Sequence, residues 1–395
     1  MKAVVKPLAA TLGAQVVVGV CALTPPVLAV VAAPDLGIAP ADVGAFTTIL
    51  FLTAMFSALA AGPVVERFGA IRVTQACLLC AAAGMALTAT ASLPLAALGG
   101  MVVGLGYGPM TPGSTHMLAR VTTPASRPFV FSFKQTSVPI GGALAGLLLP
   151  ALHGALGWRG AALAVALLGV ATALALQPLR GALDSDRRAG PISLAGSLAG
   201  PLLTVVRTPV LRQLGLVSLS FSAAQICLGT YLVVYLVGEV GYGLVEAGLT
   251  LAVAQGAGIT GRLAWGAIAD RLVTARRLLA WLGFAMAAAA GVTALITGHW
   301  PVAAITAIAA AFGATAVGWN GIYLAEVVRV TSPERSANAT GGVLFFTFAG
   351  MTVGPAVFGA IASAGGDLRM AFWVLAAICL LPGLALLRRA PETGG

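Results

Sequence analysis

The sequence predicts an all-α integral membrane protein, and three observations support this prediction. Of its 395 residues, 59% are hydrophobic and only 9% are charged, with a mean hydropathy of +0.99. Soluble domains carry about 25% charged residues. Apolar stretches of about 20 residues, the length that spans a bilayer, recur along the chain. Segments of the first half also reappear in the second, which predicts twelve transmembrane helices in two pseudo-symmetric six-helix bundles.

Twelve helices follow from the uncharged stretches and the turns between them, and they are called helix 1 to helix 12 below. The charge-free run over 73–119 is long enough for two of them, which turn at 92–94. A polar connection over 181–211 separates an N-terminal bundle (1–180) from a C-terminal bundle (212–395). The predicted spans are 8–31, 41–62, 71–92, 95–118, 128–150, 157–177, 212–238, 244–266, 278–297, 301–325, 337–362 and 368–388.

The two halves repeat, with an offset of about 210 residues between similar segments. A nearly constant offset over half of the chain is typical of an internal duplication. The matching pairs are AQVVVG (14–19) with AQICLG (224–229), RVTTP (120–124) with RVTSP (329–333), and GGALAG (141–146) with GPAVFG (354–359).

The basic residues predict the orientation in the membrane. With both termini in the cytoplasm, all of the 22 Lys and Arg residues except Lys134, Arg159 and Arg369 fall on the cytoplasmic side or at its edge. The net charge of +10 therefore reflects topology and does not predict nucleic-acid binding. High Ala and Gly content with short loops suggests a bacterial inner membrane.

No enzyme motif accompanies this pattern. The five cysteines fall inside apolar runs, and the three histidines are scattered, so the sequence predicts neither a metal site nor a cofactor. A membrane enzyme would need a reactive constellation, and none of the familiar catalytic motifs is present. The sequence predicts a protein that is not an enzyme.

The loops after helices 2 and 8 carry the most specific motif. The first reads GPVVERFGAIR (62–72) and the second GAIADRLVTARR (266–277). On these loops the chain resembles the major facilitator superfamily over essentially its whole length. The resemblance implies a transporter with alternating access, in which these loops form a cytoplasmic latch that holds the outward-facing state. The implied latch residues are Gly62, Glu66, Arg67, Gly69, Arg72, Gly266, Asp270 and Arg271.

Three departures from family patterns argue against drug efflux. Gly100 occupies the position of the helix 4 arginine, VPIGG (138–142) only approximates the antiporter motif of helix 5, and helix 1 has no acidic residue. Proton-coupled efflux of drugs or other amphipathic compounds is for this reason the less favoured function, and it is kept as the alternative.

Two cations inside the predicted spans are candidate substrate ligands, because charges in a bilayer are costly and mark functional sites. Arg262 lies within helix 8, where oxalate–formate exchangers and monocarboxylate carriers of this superfamily similarly have an arginine that holds a carboxylate. Lys134 aligns through the repeat with Thr347, well inside helix 11, which predicts burial. A lysine that snorkels to the interface is the competing interpretation.

Uncharged polar and aromatic residues complete the candidate site. Gln15 and Gln225 are related by the repeat, and the resemblance places them on cavity-lining helices 1 and 7; interhelical hydrogen bonding is the alternative. Further substrate-binding candidates are Trp319, Asn320 and Tyr323. Glu326 and His116 are candidates for proton coupling or charge pairing, with a local Glu326–Arg329 pair as the alternative for the acid.

These residues predict a carrier for a small organic anion of the carboxylate type, working by proton symport or anion exchange. The chain is similar in this respect to organic-anion, carboxylate or cyanate-type porters. The expected partners are the anionic solute, protons in the symport case and the lipid bilayer. A monomer is expected.

Overall fold

The computed structural model describes residues 2–123, 126–185, 187, 199–331, 336–365 and 367–387. Over these ranges the regular secondary structure is entirely helical. The chain divides into two compact units, the first comprising Met1–Pro40 and Ile49–Gly196, and the second comprising Ala41–Thr48 and Ser197–Gly395. The observed helices are labelled α1 to α17, and the words helix 1 to helix 12 keep denoting the predicted spans.

The first unit is built mainly from helices of the first half of the chain. Long α1 packs along α8, and α4 packs against α5 and α8. The helix α2 is divided, since its residues up to Thr48 belong to the second unit and the remainder to the first. The bounds are α1 Lys2–Leu36, α2 Val43–Leu59, α3 Ala61–Phe68, α4 Ala70–Thr88, α5 Leu93–Tyr107, α6 Met110–Val121, α7 Arg127–Gln135, α8 Ser137–Ala175 and α9 Arg180–Leu183.

The second unit contains the remaining helices, and its main packing pairs are α11 with α16, α13 with α17, and α12 with α14. A short helix, α10, precedes them and packs on α16; it falls inside the predicted linker 181–211. The bounds are α10 Ala199–Arg207, α11 Pro209–Gly238, α12 Leu244–Arg271, α13 Ala275–Leu295, α14 Val302–Ala316, α15 Asn320–Arg329, α16 Ser336–Gly365 and α17 Leu368–Leu387.

Among the residues that the structure describes, ten helical stretches are long and apolar enough to cross a membrane. One of them, Phe129–Leu183, contains both predicted helices 5 and 6, which bend apart at Gly157 (φ +71°). Predicted helix 8 is α12, which is helical over 28 residues but is absent from these ten. Every predicted helix therefore coincides with helical structure, and the count of twelve spans stays a prediction.

The outer surfaces of these helices carry large apolar side chains, as expected where lipid and not water surrounds the protein. The internal prolines of α1, α8, α16 and α17 also suit a membrane protein, in which such residues are tolerated within spanning helices. Examples of the exposed apolar side chains are Phe56, Leu148, Leu167, Trp281 and Leu381.

Several predicted spans are broken, which corrects the prediction of continuous helices. Helix 4 divides into α5 and α6 at Gly108–Pro109, where the proline lacks an N–H group and its ring crowds the preceding turn. Helix 10 divides into α14 and α15 over 317–319, without a proline. The breaks in helices 4 and 10 lie about 209 residues apart, so they are related by the internal repeat. Helix 5 is also interrupted, at Thr136.

Candidate functional site

In the second unit, side chains of α12 donate hydrogen bonds to the backbone carbonyls at the break in helix 10. The Arg262 Nε donates a hydrogen bond of 2.9 Å to the carbonyl oxygen of Val317. One turn later, the Trp265 Nε1 donates to the carbonyl oxygen of Ala314 at 2.8 Å. Carbonyls that a broken helix leaves without an N–H partner must be satisfied in a membrane. Arg262 therefore supports the break, and Trp265, which the sequence analysis missed, shares this role.

This role of Trp265 can be tested by Trp265→Phe, which keeps the aromatic ring and removes the donor. The Ala314 carbonyl would then lose its partner, and we expect the free energy of unfolding to fall by about 1 kcal/mol. Thermal unfolding in detergent measures this change, with Trp281→Phe as the control because Trp281 is half-exposed on α13. Equal stability of the Trp265→Phe variant and the wild type would contradict the assignment.

The predicted glutamine of helix 7 binds the last residue of the same break and the residue that follows it. Gln225 Oε1 accepts hydrogen bonds of 3.1 Å from both Trp319 Nε1 and Asn320 Nδ2. The structure thus brings together Gln225, Arg262, Trp319 and Asn320, all of them candidates predicted from the sequence. All four residues lie in the break, lie next to it or bind one of its residues.

Trp319 and Tyr323 are packed within the second unit. Trp319 is 0% exposed, and its ring meets that of Tyr323 edge to face at a centroid distance of 5.1 Å. The Tyr323 hydroxyl donates to the carbonyl oxygen of Leu214 at 3.0 Å. Trp319 Nε1 and the Tyr323 hydroxyl are both bonded to other groups of the protein. In this conformation the two side chains therefore stabilise the site by packing.

Glu326 forms the local ion pair that the sequence analysis considered. Its carboxylate is 1% exposed and accepts two hydrogen bonds of 2.7 Å from Arg329, three residues later on α15. This bidentate geometry is the strong form of an arginine–carboxylate ion pair. A proton-coupling role for Glu326 stays a prediction.

In the first unit, Gln15 repeats the arrangement of Gln225. Its Nε2 donates a hydrogen bond of 3.3 Å to Thr111 Oγ1, just after the break in helix 4. Thr111 and Asn320 are separated by the same offset as the breaks, so each unit joins a glutamine to a residue just after the break in a helix. Gln15 Oε1 differs from its counterpart, because it is buried without a hydrogen-bond partner.

Lys134 lies on α7, which packs against both α1 and α6. It is 2% exposed, and its Nζ has no hydrogen-bond partner. The repeat alignment with Thr347 predicts a buried lysine, and the structure has one. His116 lies half-buried on α6, the helix that begins just before Thr111. Three helices that pack together, α1, α6 and α7, thus carry Gln15, Thr111, His116 and Lys134.

The first signature loop is held by a residue that the sequence analysis left in the linker. The Asp184 carboxylate accepts hydrogen bonds from the backbone N–H groups of Ile71 (2.7 Å) and Arg72 (3.1 Å), at the start of α4. The favourable field at a helix N-terminus adds to these bonds. Gly69 precedes them with φ +92°, and a side chain there would overlap Asp184. Asp184 is therefore the acid that fixes this loop.

The other latch candidates are more exposed. Glu66, Arg67, Asp270 and Arg271 lie at the surface, and the Arg67 guanidinium lies 5.7 Å from the Phe68 ring centroid. An added Cβ at Gly62 or Gly266 would meet no described atom within 4 Å. In this conformation neither glycine is therefore required by a close contact, and the role of both in the latch stays a prediction.

Comparison with known proteins identifies the family. A model described as Major Facilitator Superfamily matches residues 11–341. The fold is similar to that of a bacterial homolog of the human lysosomal transporter Spinster, in an inward-facing and occupied conformation (TM-score 0.74, 19% identity, 98% of this chain and 96% of that chain). No curated protein matches the sequence.

Two further solved structures are similar at comparable coverage. One is a POT family transporter in complex with 5-aminolevulinic acid (TM-score 0.77, 13% identity, 99% of this chain and 97% of that chain). The other is a point mutant of the nucleoside transporter NupG (TM-score 0.77, 14% identity, 96% of this chain and 99% of that chain). At these identities the likeness shows a shared fold.

Proposed function

We propose that this chain, which belongs to the major facilitator superfamily, carries a small organic anion of the carboxylate type. The family and the multiple apolar helices make it a multi-pass membrane transporter and not an enzyme. The anion, its coupling and the orientation are parts of the proposal. We place both termini in the cytoplasm of a bacterial cell, because the basic residues favour that side.

The observation that carries the proposal is the buried and unpartnered amino group of Lys134. A charged side chain near the centre of a bilayer costs about 2.5–3.5 kcal/mol on insertion scales, and a paired one costs less. No carboxylate forms a salt bridge with Lys134 among the described side chains, so a bound anion would supply the missing charge. A carboxylate fits best, since it accepts the hydrogen bonds that an ammonium group donates.

Arg262 supports the same substrate class from the second unit. Its Nε binds the Val317 carbonyl and so fixes the side chain beside the break in helix 10. A guanidinium has five donors in a planar fork that suits carboxylates. The position is also favourable, because discontinuous helices mark substrate sites in transporters built from repeats.

The proposed cycle follows from the cost of the buried cation. An occluded site that contains both lysine and anion is electrically balanced, whereas an occluded empty site holds an uncompensated charge. Bound anion therefore favours the closed state through which the carrier must pass to change sides. Exchange of one anion for another satisfies this condition, and symport satisfies it if the lysine itself carries the transported proton, so that the empty carrier returns with a neutral amine.

The test is ligand-dependent thermal stabilisation of the purified protein, because a ligand that binds only the folded state raises its stability. We expect monocarboxylates or dicarboxylates to stabilise the wild type, Lys134→Gln to abolish the effect, and Lys134→Arg to retain part of it. Arg159→Gln is the matched control, since Arg159 is 54% exposed and pairs with Asp35 at the surface. The unliganded melting temperature of each variant shows whether it folds.

Two outcomes would overturn the proposal. If carboxylates stabilise Lys134→Gln as well as they stabilise the wild type, Lys134 does not hold the substrate. If lipophilic cations stabilise the wild type and carboxylates do not, efflux of amphipathic compounds replaces anion transport as the function.

A further inference from the structure

The indole of Trp319 determines which end of the Gln225 amide faces the protein. A glutamine amide can adopt either of two orientations, and its hydrogen-bond partners decide between them. Trp319 Nε1 lies 3.1 Å from this amide and can only donate, so the atom opposite it must be the oxygen Oε1. Trp319 is 0% exposed, so its N–H has no solvent to bond instead. The orientation of the Gln225 amide therefore follows from the chemistry of its partner.

The same argument determines the orientation of the Asn320 amide. Its nitrogen lies 3.1 Å from Gln225 Oε1 and 3.5 Å from the carbonyl oxygen of Val317, and both of these oxygens are acceptors. The Asn320 atom that faces them must be the donor Nδ2. Arg262 Nε donates to the same Val317 oxygen at 2.9 Å. One continuous set of hydrogen bonds therefore joins Trp319 to Arg262.

The other end of the Gln225 amide has no partner in the protein. Because Oε1 faces Trp319 and Asn320, the Nε2 atom on the other branch faces away from them, and no described residue bonds to it. Gln225 is half-buried near the middle of α11, which is long and apolar enough to span a membrane. At that depth polar side chains face the protein interior or a water-filled cavity and not lipid. Gln225 Nε2 is therefore available to a bound substrate.

We infer that Trp319 is a positioning residue for the transported anion: its indole N–H orients the Gln225 amide so that Nε2, and not Oε1, faces the substrate. The inference rests on the proposed function and deepens it. A carboxylate only accepts hydrogen bonds, so it binds an amide nitrogen and is repelled by an amide oxygen. The counterpart Gln15 bonds the hydroxyl of Thr111, which both donates and accepts, so that contact does not orient its amide.

A pair of isosteric substitutions tests the orientation. Gln225→Glu keeps an oxygen opposite the donors of Trp319 and Asn320, whereas Asn320→Asp places an oxygen against Gln225 Oε1 and the Val317 carbonyl. Both positions are half-buried, and each variant adds one carboxyl group to the same set of hydrogen bonds. We expect Asn320→Asp to melt at a lower temperature than Gln225→Glu, with the full-length protein in detergent. The opposite order would overturn the assigned orientation.

A double-mutant cycle tests whether Trp319 acts through Gln225. The probes are propanoate and butanedioate, titrated by calorimetry. We expect Gln225→Met, which removes the donor, to weaken binding of at least one acid about tenfold, the increment of a hydrogen bond to a charged group. Trp319→Phe keeps an aromatic ring but releases the amide, and it should weaken the same binding about threefold to tenfold. In the Gln225→Met background, Trp319→Phe should change the affinity no further.

The cycle distinguishes positioning from packing. If Trp319 only packs, Trp319→Phe causes equal losses of affinity in both backgrounds, and that result would overturn the inference. Trp281→Phe is the control, because Trp281 is half-exposed on α13 and its replacement should leave the affinity unchanged. The unliganded melting temperature shows whether each variant folds, and the isosteric pair tests the orientation even if Trp319→Phe does not fold.

The outcomes also separate this inference from the proposed function. If Lys134→Gln abolishes binding of the acids while Trp319→Phe and Gln225→Met bind them like the wild type, the inference is wrong and anion transport stands. If neither acid binds the wild type, the proposed function is wrong, and the inference is wrong with it.

Discussion

Gly313→Ala is expected to lower the free energy of unfolding by about 3 kcal/mol, the upper part of the range for overpacked cores. A Cβ at this position in α14 would overlap the carbonyl oxygen of Ala254 in α12, and it would come within 2.8 Å of the Ala254 Cα. Backbone atoms cannot rotate away as a side chain can, so the two helices would have to separate. Thermal unfolding in detergent measures the loss.

The displacement would also reach the candidate site. Gly313 lies one turn before Val317, whose carbonyl binds Arg262. Separation of α12 from α14 would lengthen that bond, so ligand-dependent stabilisation should fall together with the melting temperature. Gly256→Ala is the control, since Gly256 is on α12 and an added Cβ there meets no described atom within 4 Å. That variant should be neutral or slightly stabilising, and comparable losses in both variants would refute the steric argument.

Asp184→Ala is expected to be the most damaging single change at the signature loops. It would leave the N–H groups of Ile71 and Arg72 without their acceptor, and hydrogen bonds to charged groups contribute about 1.5–3 kcal/mol each. On that basis we expect a loss of about 2 kcal/mol or more in the free energy of unfolding. Transport of the substrate identified by the ligand panel should also fall, because the loop would lose its fixed conformation.

Glu66→Ala is the informative comparison for this prediction. Glu66 is the acidic residue of the sequence motif, but its side chain is exposed. Its removal should change the stability of the protein by no more than about 0.5 kcal/mol, as surface substitutions usually do. A larger loss in Glu66→Ala than in Asp184→Ala would mean that the motif acid, and not Asp184, holds the loop.

Much of the fold could be predicted because the bilayer imposes a local and repetitive pattern. Runs of about 20 apolar residues mark the spans, and the repeat relates Gln15 to Gln225 without any structure. Pro109 also indicates a break in helix 4 from the sequence alone, although we predicted this helix as one continuous span. These features depend on neighbouring residues or on similarity within the chain.

The features that were missed depend on contacts between distant residues. Asp184 caps α4 from 113 positions beyond Ile71, and no local pattern distinguishes it from the charged residues that follow it. The break in helix 10 has no proline, and the donors that satisfy its carbonyls, Arg262 and Trp265, are on α12. Arg262 was identified as a charge inside the membrane, but its contact with Val317 required the structure.

The two broken helices differ in what maintains them, although the repeat relates their positions. In helix 4 one cause is covalent, since Pro109 cannot donate a backbone hydrogen bond, although the prolines inside α1, α8, α16 and α17 do not by themselves break those helices. In helix 10 the cause is a set of non-covalent bonds from α12 and from Gln225. Duplicated halves have therefore reached the same shape by different means. The second interruption can therefore be weakened by changing a residue that lies outside helix 10 altogether, such as Arg262 or Trp265.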